Sequence, residues 1–316
     1  MTLPHHVPLA VQTRGEIVES VHHGSLVVVN PTGGVLRRDG VQSDRFYPRS
    51  ALKPLFAVGL LRAGLALTTE QLALAAASHS GAPRHQDVAR STLADAGLTA
   101  DALRNAPDLP YGVAERAAWL RAGHGPTRLA QNCSGKHAAL LALCVQRGWS
   151  LPDYLALDHP IARVLRDAVE DLTGETIAIA STDGCGTPVY ALTLDGMARA
   201  FARLTTAAPG TPEAAVADAM RAHPELVAGE DRDVTSVMRA LPGAVAKDGF
   251  EGIQLLALRD GTALALKIAD GGDRARMPVA AAALADLRPD LAESLAPLFE
   301  SVALGGGRPV GALRAL

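Results

Sequence analysis

Two residues that could act together as a nucleophile and its base stand at the start of an apolar segment. In Arg49-Ser50-Ala51-Leu52-Lys53-Pro54 the serine and the lysine are three positions apart, so they share one face if the segment is helical. Pro54 fits only the first turn of a helix, which places Ser50 at the N-terminus. A lysine removed from water there would give up a proton readily and could serve as general base for the hydroxyl. The same spacing also describes an N-cap serine followed by an unrelated lysine.

Two further segments carry polar residues of the same kind. Ser78-His79-Ser80-Gly81 ends an apolar helix, where small polar side chains either border a cleft or simply stop the helix. Lys247-Asp248-Gly249 precedes a predicted hairpin and is a Lys-x-Gly of the kind that edges a serine acyl-enzyme site. A lysine before a turn is also commonly just solvated, so neither segment alone decides its role.

The three cysteines are Cys133, Cys144 and Cys185, an odd number that argues against a disulfide framework. Cys133 and Cys185 each stand in a glycine-containing polar turn with Asp, Lys or His nearby, whereas Cys144 lies in an apolar run and is predicted to be core. Two thiolates with a nitrogen and a water would suit zinc. However, this is no Cys-x-x-Cys pair, so two buried thiols in functional loops are the alternative.

The elements that must position these residues change in type along the chain. The run Ser25–Asn30, a Pro-Thr-Gly-Gly turn and Val35 predict an opening β-hairpin. Apolar residues at three- and four-residue intervals then predict helices over 52–61, 71–77, 85–96, 114–121, 135–147, 161–172, 197–205, 212–221 and 234–241. Strands return at 253–258 and 262–268 around the turn Arg259-Asp260-Gly261. Helices over 278–287 and 291–304 follow.

This order of elements predicts an α+β protein whose antiparallel sheet is assembled from both chain ends. No linker divides the sequence, so we predict one compact unit over residues 1–316, with a sheet-containing part at about 1–48 and 242–316 and a helical part at about 49–241.

The charge pattern excludes two classes of partner. The net charge is −3 with acids and bases interspersed, so there is no basic stripe for nucleic acid and no polybasic segment for a membrane. The stretch Met1–Glu19 lacks the apolar core of a signal peptide, and no apolar run is long enough to cross a bilayer. A cytoplasmic location is therefore expected.

Taken together, the polar motifs resemble those of the rhizobial-type, thermolabile L-asparaginases of the asparaginase II family. The motifs, in order, are Arg49–Pro54, Ala77-Ser78-His79-Ser80, Asn132-Cys133-Ser134-Gly135-Lys136-His137, Thr182-Asp183-Gly184-Cys185, His223-Pro224-Glu225-Leu226-Val227-Ala228-Gly229-Glu230 and Lys247-Asp248-Gly249. No single motif is specific, but the ordered set covers nearly the whole chain. The two cysteine motifs are the most diagnostic.

The resemblance implies a fold like the serine β-lactamases, penicillin-binding proteins and glutaminases, usually as a homodimer. It also maps two Ser-Lys pairs onto this chain, Ser50 with Lys53 and Ser78 with Lys247. Lys267 matches a family segment as well and is the second candidate to face Ser78. The family's zinc ligands map to Cys133, Lys136 and Cys185, with water completing the shell.

The reaction implied is hydrolysis of the side-chain amide of L-asparagine, with Ser50 as nucleophile, Lys53 as base, and Ser78 with Lys247 relaying protons to the leaving nitrogen. Arg49, Asp183 and Glu230 are the candidates to bind the carboxylate and ammonium of this small-molecule substrate. We expect zinc to fix a loop rather than to deliver hydroxide.

Three other functions stay open at this stage. A glutaminase would differ by one methylene of substrate, which depends on pocket walls that the sequence does not show. A β-lactamase or transpeptidase shares Ser-x-x-Lys and Lys-x-Gly but acts outside the cytoplasm. A non-catalytic zinc-binding or ligand-sensing module is the remaining alternative.

Overall fold

The computed structural model describes residues 3–40 and 44–316. Its strands are β1 (Val7–Arg14), β2 (Ile17–Val29), β3 (Val35–Asp39), β4 (Ala180–Thr182), β5 (Pro188–Tyr190), β6 (Val245–Gly249), β7 (Ile253–Ala257), β8 (Ala263–Ile268), β9 (Glu300–Gly305) and β10 (Arg308–Ala315). Its helices are α1 (Lys53–Arg62), α2 (Thr69–Ala75), α3 (Pro83–Asp95), α4 (Val113–Arg121), α5 (Ser134–Arg147), α6 (Pro160–Thr173), α7 (Leu194–Thr206), α8 (Pro212–Ala222), α9 (Pro224–Val227), α10 (Asp233–Ala240), α11 (Arg276–Leu287) and α12 (Ala292–Leu295).

The chain divides into two compact units. The sheet unit comprises Met1–Ala51, Leu192–Thr206 and Ser236–Leu316, and the helical unit comprises Leu52–Ala191 and Ala207–Thr235. The helix α7 therefore belongs to the sheet unit, although it lies in the middle of the predicted helical part. The prediction of one compact amidohydrolase unit over the whole chain stays a prediction.

The sheet unit contains an antiparallel sheet in the order β6-β7-β8-β2-β1-β10-β9, with β3 also paired to β2. The long strand β2 connects its two halves. The N-terminal part of β2 pairs with β1, and Leu26 to Val29 pair with β3 on one side and β8 on the other. Strands from both chain ends thus form one sheet, which confirms the predicted α+β class.

The second predicted hairpin is confirmed as β7 and β8. Both strands are almost wholly buried, so they appear in the sequence as apolar runs. Their turn closes at Gly261, whose φ of +91° favours glycine, and the Asp260 carboxylate accepts a hydrogen bond from the Thr262 amide at 2.9 Å.

The predicted helix over 291–304 is wrong beyond its first turns. Only the short helix α12 and flanking turns form there, and Glu300–Gly305 is strand β9. Glu, Ala and Leu are good helix formers, but the left-handed Gly306 and Gly307 reverse the chain so that β9 pairs with β10. Pairing of β10 with β1, itself absent from the prediction, extends the sheet. Tertiary pairing here outweighs local propensity.

The helical unit holds the segments that carry the polar motifs, except the first residues of Arg49–Pro54 and the whole of Lys247-Asp248-Gly249. The predicted helices over 52–61, 135–147 and 161–172 are confirmed as α1, α5 and α6. Gly135, in the first turn of α5, packs against α2 so closely that an added Cβ would collide with the side chain and carbonyl of Leu74. The glycine of the Ser-Gly-Lys motif therefore sets how closely α5 approaches α2.

The longest helices in the described ranges, α5 and α6, have 14 residues each. A bilayer-spanning helix needs about 20 consecutive apolar residues. Among the described residues, accordingly, none of the helices is long and apolar enough to cross a membrane.

Candidate active site

Lys53 is the first residue of α1, and its side chain is 1% exposed. Its Nζ donates to the Ala77 carbonyl at 2.6 Å, contacts Ser78 Oγ at 3.1 Å and lies 3.5 Å from the Asn132 carbonyl. The structure therefore brings two of the predicted catalytic residues, Lys53 and Ser78, into direct contact although 25 positions separate them.

These neighbours of Lys53 Nζ are two carbonyls and one hydroxyl, all uncharged. An ammonium could donate to all three of them. A neutral amine could donate to the two carbonyls and accept the Ser78 proton on its lone pair. The arrangement can therefore exchange a proton between Lys53 and a hydroxyl without breaking an ion pair.

Ser50 lies in the 3₁₀ turn Arg49–Leu52, directly before α1, and is half-buried. The preceding residue, Arg49, has a φ of +54°, which is unfavourable for a non-glycine residue and bends the chain just before the serine. The Arg49 guanidinium lies 5.3 Å from the centroid of the Phe250 ring, a cation–π distance. Ser50 thus lies in the turn immediately before α1, and the meeting of its hydroxyl with Lys53 stays a prediction.

Lys247 and Lys267 both belong to the sheet unit. Lys247, on β6, is fully buried, and its Nζ bonds Asp248 Oδ1 at 2.5 Å and the Asp248 carbonyl at 2.8 Å. Asp248 directly follows Lys247 in the Lys-Asp-Gly motif but carries no predicted role there. Lys267 Nζ, on β8, donates to the Glu251 and Ile268 carbonyls at 2.6 and 2.7 Å, and burial lowers its pKa. The pairing of Ser78 with either lysine stays a prediction.

A second buried cluster forms around Lys136, in the first turn of α5. Its Nζ contacts Cys185 Sγ at 3.0 Å and Thr187 Oγ1 at 2.7 Å. The Cys133 thiol donates to Asn132 Oδ1 at 3.2 Å and lies close enough to Cys185 for each sulfur to shift the pKa of the other. Cys133 is the N-cap of α5, and Cys185 lies in the turn between β4 and β5. The structure therefore brings the three predicted zinc ligands together.

The two sulfurs of this cluster have pKa values shifted in opposite directions. The neighbouring Cys133 thiol, and then the positive charge of Lys136, lower the pKa of Cys185 well below its usual value. The neighbouring Cys185 sulfur, together with burial, raises the pKa of Cys133 well above its usual value. Burial opposes a charge on Lys136, but the nearby sulfurs raise the Lys136 pKa. These directions favour a thiol at Cys133, a thiolate at Cys185 and an ammonium at Lys136.

The donor chemistry of this cluster fits zinc. Two sulfurs and one nitrogen are ligands that zinc prefers, and all three side chains are 3% exposed or less. The described residues contain no group of three His, Cys, Asp or Glu that could hold a metal ion, so a zinc site here depends on the lysine. Binding would displace the protons on Cys133 and one proton of Lys136.

Two buried histidines beside these clusters belong to the polar motifs but have no predicted catalytic or metal-binding role. His137 Nδ1 bonds the Tyr154 hydroxyl at 2.7 Å, and burial followed by the charge of Lys136 lowers its pKa to about 4. Its Nε2 makes no hydrogen bond of standard geometry, yet His137 also lowers the pKa of Cys185. His79 Nε2 bonds Ser134 Oγ at 2.9 Å, and its ring stacks on His85 at 5.1 Å.

The sequence does contain a signal for the buried lysines. The chain has only four lysines against 26 arginines, and Lys53, Lys136 and Lys247 are each 1% exposed or less. A chain that places arginine almost everywhere else retains lysine at buried positions where a compact, titratable amine serves a purpose. Counting lysines would have selected these three side chains, together with Lys267, without any motif.

The three predicted substrate-binding residues lie in different settings. Asp183 Oδ1 accepts from the Gly184 amide at 2.9 Å, and its Oδ2 is 3.9 Å from Cys185 Sγ, so it borders the cysteine cluster. Glu230 is exposed and contributes to raising the pKa of Arg84. Arg49 lies over Phe250 in the sheet unit. In the helical unit, Asp183 is thus the candidate directly in contact with the predicted metal ligands.

Comparisons with known proteins agree with the motifs. A family model described as L-asparaginase II matches residues 10–315. No curated protein sequence matches significantly. Solved structures similar in fold include a beta-lactamase from Mycobacterium bovis, at 18% identity over 87% of this chain and 94% of that one with a TM-score of 0.44. EstCE1, a hydrolase with promiscuous acyltransferase activity, aligns at 12% identity over 87% and 93% with a TM-score of 0.42.

Proposed function

We propose a function from one premise, that the chain belongs to the L-asparaginase II family. It is an amidohydrolase, and the substrate we propose is L-asparagine, converted to L-aspartate and ammonia. The observation that carries the proposal is the buried contact between Lys53 Nζ and Ser78 Oγ at 3.1 Å, at the start of a helix that directly follows Ser50.

In the proposed mechanism the Ser50 hydroxyl attacks the carboxamide carbon while neutral Lys53 takes its proton. The carbonyl electrons move to oxygen, where backbone N–H groups near Ser50 hold the oxyanion. When the C–N bond breaks, the proton is returned to the leaving nitrogen and ammonia departs. Water then hydrolyses the ester on Ser50 by the same steps, releasing aspartate.

Ser78 is proposed to pass the proton between Lys53 and the leaving nitrogen. Its contact with Lys53 supports this role, because a hydroxyl can donate and accept at the same time. Lys247 is proposed as the second amine of the relay, and Lys267 as the alternative. The ion pair of Lys247 with Asp248 supports an ammonium that stabilises negative charge rather than a second base.

The residues proposed to bind the charged end of the substrate are Arg49, Asp183 and Glu230. Zinc is proposed at Cys133, Lys136 and Cys185, where, when bound, it would hold the α5 N-terminus and the β4–β5 turn together. The contact of Lys136 with Cys185 supports a structural role for the metal. This contact already ties the N-terminus of α5 to the β4–β5 turn that carries Asp183. A cytoplasmic homodimer without nucleic-acid or membrane partners completes the proposal.

The proposal is tested by ammonia release from a panel of amides with the wild type and Ser50→Ala. We expect turnover of L-asparagine to exceed that of L-glutamine and to fall about 10³-fold or more in Ser50→Ala. Ser301→Ala, at an exposed serine of β9, is the matched control and should be unchanged.

Two outcomes of this assay would redirect the proposal. Preferred turnover of L-glutamine would make the chain a glutaminase, and hydrolysis of nitrocefin in place of amino-acid amides would make it a β-lactamase-like acyl transferase. Absence of any amidase activity, or full activity in Ser50→Ala, would overturn the mechanism and favour a binding module.

A further inference from the structure

A cavity of about 600 Å³ opens in the helical unit beside Ser80, two residues after Ser78. Four charged side chains, two of each sign, and one aromatic ring line it. The lining residues used here are Ser80, Tyr111, Glu115, Arg121, Asp231 and Arg232. None of them has a role in the function proposed above.

The backbone connects this cavity to Ser78. The amides of Ser78 and Ser80 donate to the carbonyls of Val227 and Ala228 at 2.9 and 2.6 Å, whereas the intervening His79 amide donates to the Asn132 carbonyl at 3.2 Å. Ser78 and Ser80 are two residues apart, so their Cα atoms lie within about 7 Å of each other.

Two glycines allow the cavity walls to close around Ser80. An added Cβ at Gly229 would collide with Ser80 Oγ and lie 3.4 Å from the Arg232 side chain, and one at Gly112 would lie 2.8 Å from Ser80 Cβ. Gly229 also has a φ of +148°. Because both positions lack a side chain, the segments that carry Tyr111 and Arg232 approach Ser80 directly.

Arg232 is held in a defined orientation at this wall. Its guanidinium lies 4.6 Å from the centroid of the Tyr111 ring, within the range of a cation–π contact. A guanidinium that stacks on an aromatic face can also bind a carboxylate through two parallel hydrogen bonds. Glu115 and Asp231 provide negative charge in the same cavity.

We propose that Arg232, positioned by Tyr111, binds the α-carboxylate of the substrate in this cavity, with the α-ammonium near Glu115 and Asp231. The inference rests on the proposed asparaginase function. In asparagine the α-carboxyl carbon lies about 4 Å from the amide carbon, so the charged end of an amide reacting beside Ser78 can reach toward the cavity beside Ser80. Arg232 is proposed for the carboxylate in addition to Arg49, whose guanidinium also lies over an aromatic ring.

The test compares two amides in wild type, Arg232→Gln and Arg49→Gln. L-Asparagine carries the α-carboxylate, and 3-aminopropanamide lacks it. We expect Arg232→Gln to raise KM for L-asparagine about 10- to 100-fold with kcat nearly unchanged, and to leave kcat/KM for 3-aminopropanamide unaltered. Tyr111→Ala should give a smaller change of the same kind. Arg90→Gln, at an exposed helix position paired with Asp87, is the control.

A merely structural Arg232 would lower turnover of both amides equally, and that result overturns the inference, as does an unchanged KM. Calorimetric binding of L-aspartate separates this inference from the proposed function. If the wild type binds L-aspartate without turning over any amide, and Arg232→Gln loses this binding, the function fails and the inference stands. Lack of L-aspartate binding by the wild type overturns the inference whatever the turnover.

Discussion

Two lysines in the helical unit share almost every feature except the charge of their neighbours. Lys53 and Lys136 both lie in the first turn of a helix, and both are 1% exposed. Lys53 is surrounded by carbonyls and a hydroxyl, whereas Lys136 contacts the Cys185 sulfur, whose pKa is lowered well below its usual value. Burial therefore does not by itself fix what an amine does. A lysine amine whose neighbours are neutral acceptors can exchange a proton. A lysine amine paired with an anion stays a cation or becomes a metal ligand.

Replacing each lysine by methionine gives the largest predicted effect on the reaction. We expect Lys53→Met to lower kcat for L-asparagine about 10³-fold, because the hydroxyl loses its base. Lys136→Met should lower it much less. Ammonia release at saturating substrate measures both, with circular dichroism as the check on folding. If Lys136→Met falls as far as Lys53→Met, the proposed division of roles between the two amines is wrong.

Removing the Cys185 sulfur tests how much its pairing with Lys136 contributes to the stability of the fold. Cys185→Ala leaves Lys136 buried without its thiolate, so we expect the free energy of unfolding to fall by about 3 kcal/mol. Urea unfolding in the presence of a chelator measures this. The double variant Cys185→Ala, Lys136→Met should recover part of the loss, because no buried charge remains. Strictly additive losses would show that the pair is not coupled.

The histidine stack next to Lys53 makes stability depend on pH. Burial, then His85, then the charge of Lys53 lower the pKa of His79 well below 6.5. Below pH 6.5 the unfolded chain gains a proton that folded His79 does not, so the free energy of unfolding falls as the pH falls. The slope is at most about 1.4 kcal/mol per pH unit for this residue.

Urea unfolding at pH 5 to 7 measures this dependence in three variants. His79→Gln should make it shallower without abolishing it, because burial also lowers the pKa of His137. Lys53→Met should leave it largely in place, because burial is the largest cause of the lowered His79 pKa. His5→Gln, at an exposed histidine, should leave it unchanged. If the free energy of unfolding of His79→Gln depends on pH as that of the wild type does, His79 does not cause the dependence.

Removing metal should have the smallest effect on catalysis. If zinc at Cys133, Lys136 and Cys185 supports a loop, a chelator should lower kcat less than about ten-fold, and added zinc should restore it. Metal content by mass spectrometry should fall in Cys133→Ala and stay unchanged in Cys144→Ala, since Cys144 lies in the core of α5. Total, irreversible loss of turnover with unchanged substrate affinity would contradict the supporting role.

The sequence predicts those parts of the fold whose signals are local. Helices such as α6 are found because their apolar residues recur on one face, and the β7–β8 hairpin because its turn residues stand between two apolar runs. The strands β1 and β10 are missed because their stability comes from pairing across the two chain ends. The Glu-Ser-Val-Ala-Leu run of β9 is equally compatible with a helix until its pairing with β10 is known.

The candidate site shows the same division. The Ser50–Lys53 spacing is visible as a motif, and the resemblance supplies the cysteine and lysine ligands. The contact of Lys53 with Ser78 depends on packing between segments 25 residues apart, and Arg232 meets Tyr111 across 121 residues. No local sequence pattern predicts these contacts, so the charged cavity beside Ser80 is visible only in the three-dimensional structure.

The scarcity of exposed lysine has a practical consequence for handling this protein. Acylating reagents and aldehyde cross-linkers attack unprotonated primary amines, and among the lysine side chains only Lys267 is more than marginally exposed. The lowered pKa of Lys267 makes it more nucleophilic at neutral pH. Coupling through lysine would therefore tether the native enzyme to a support by the β8 side chain, and modification of the other three would report unfolding.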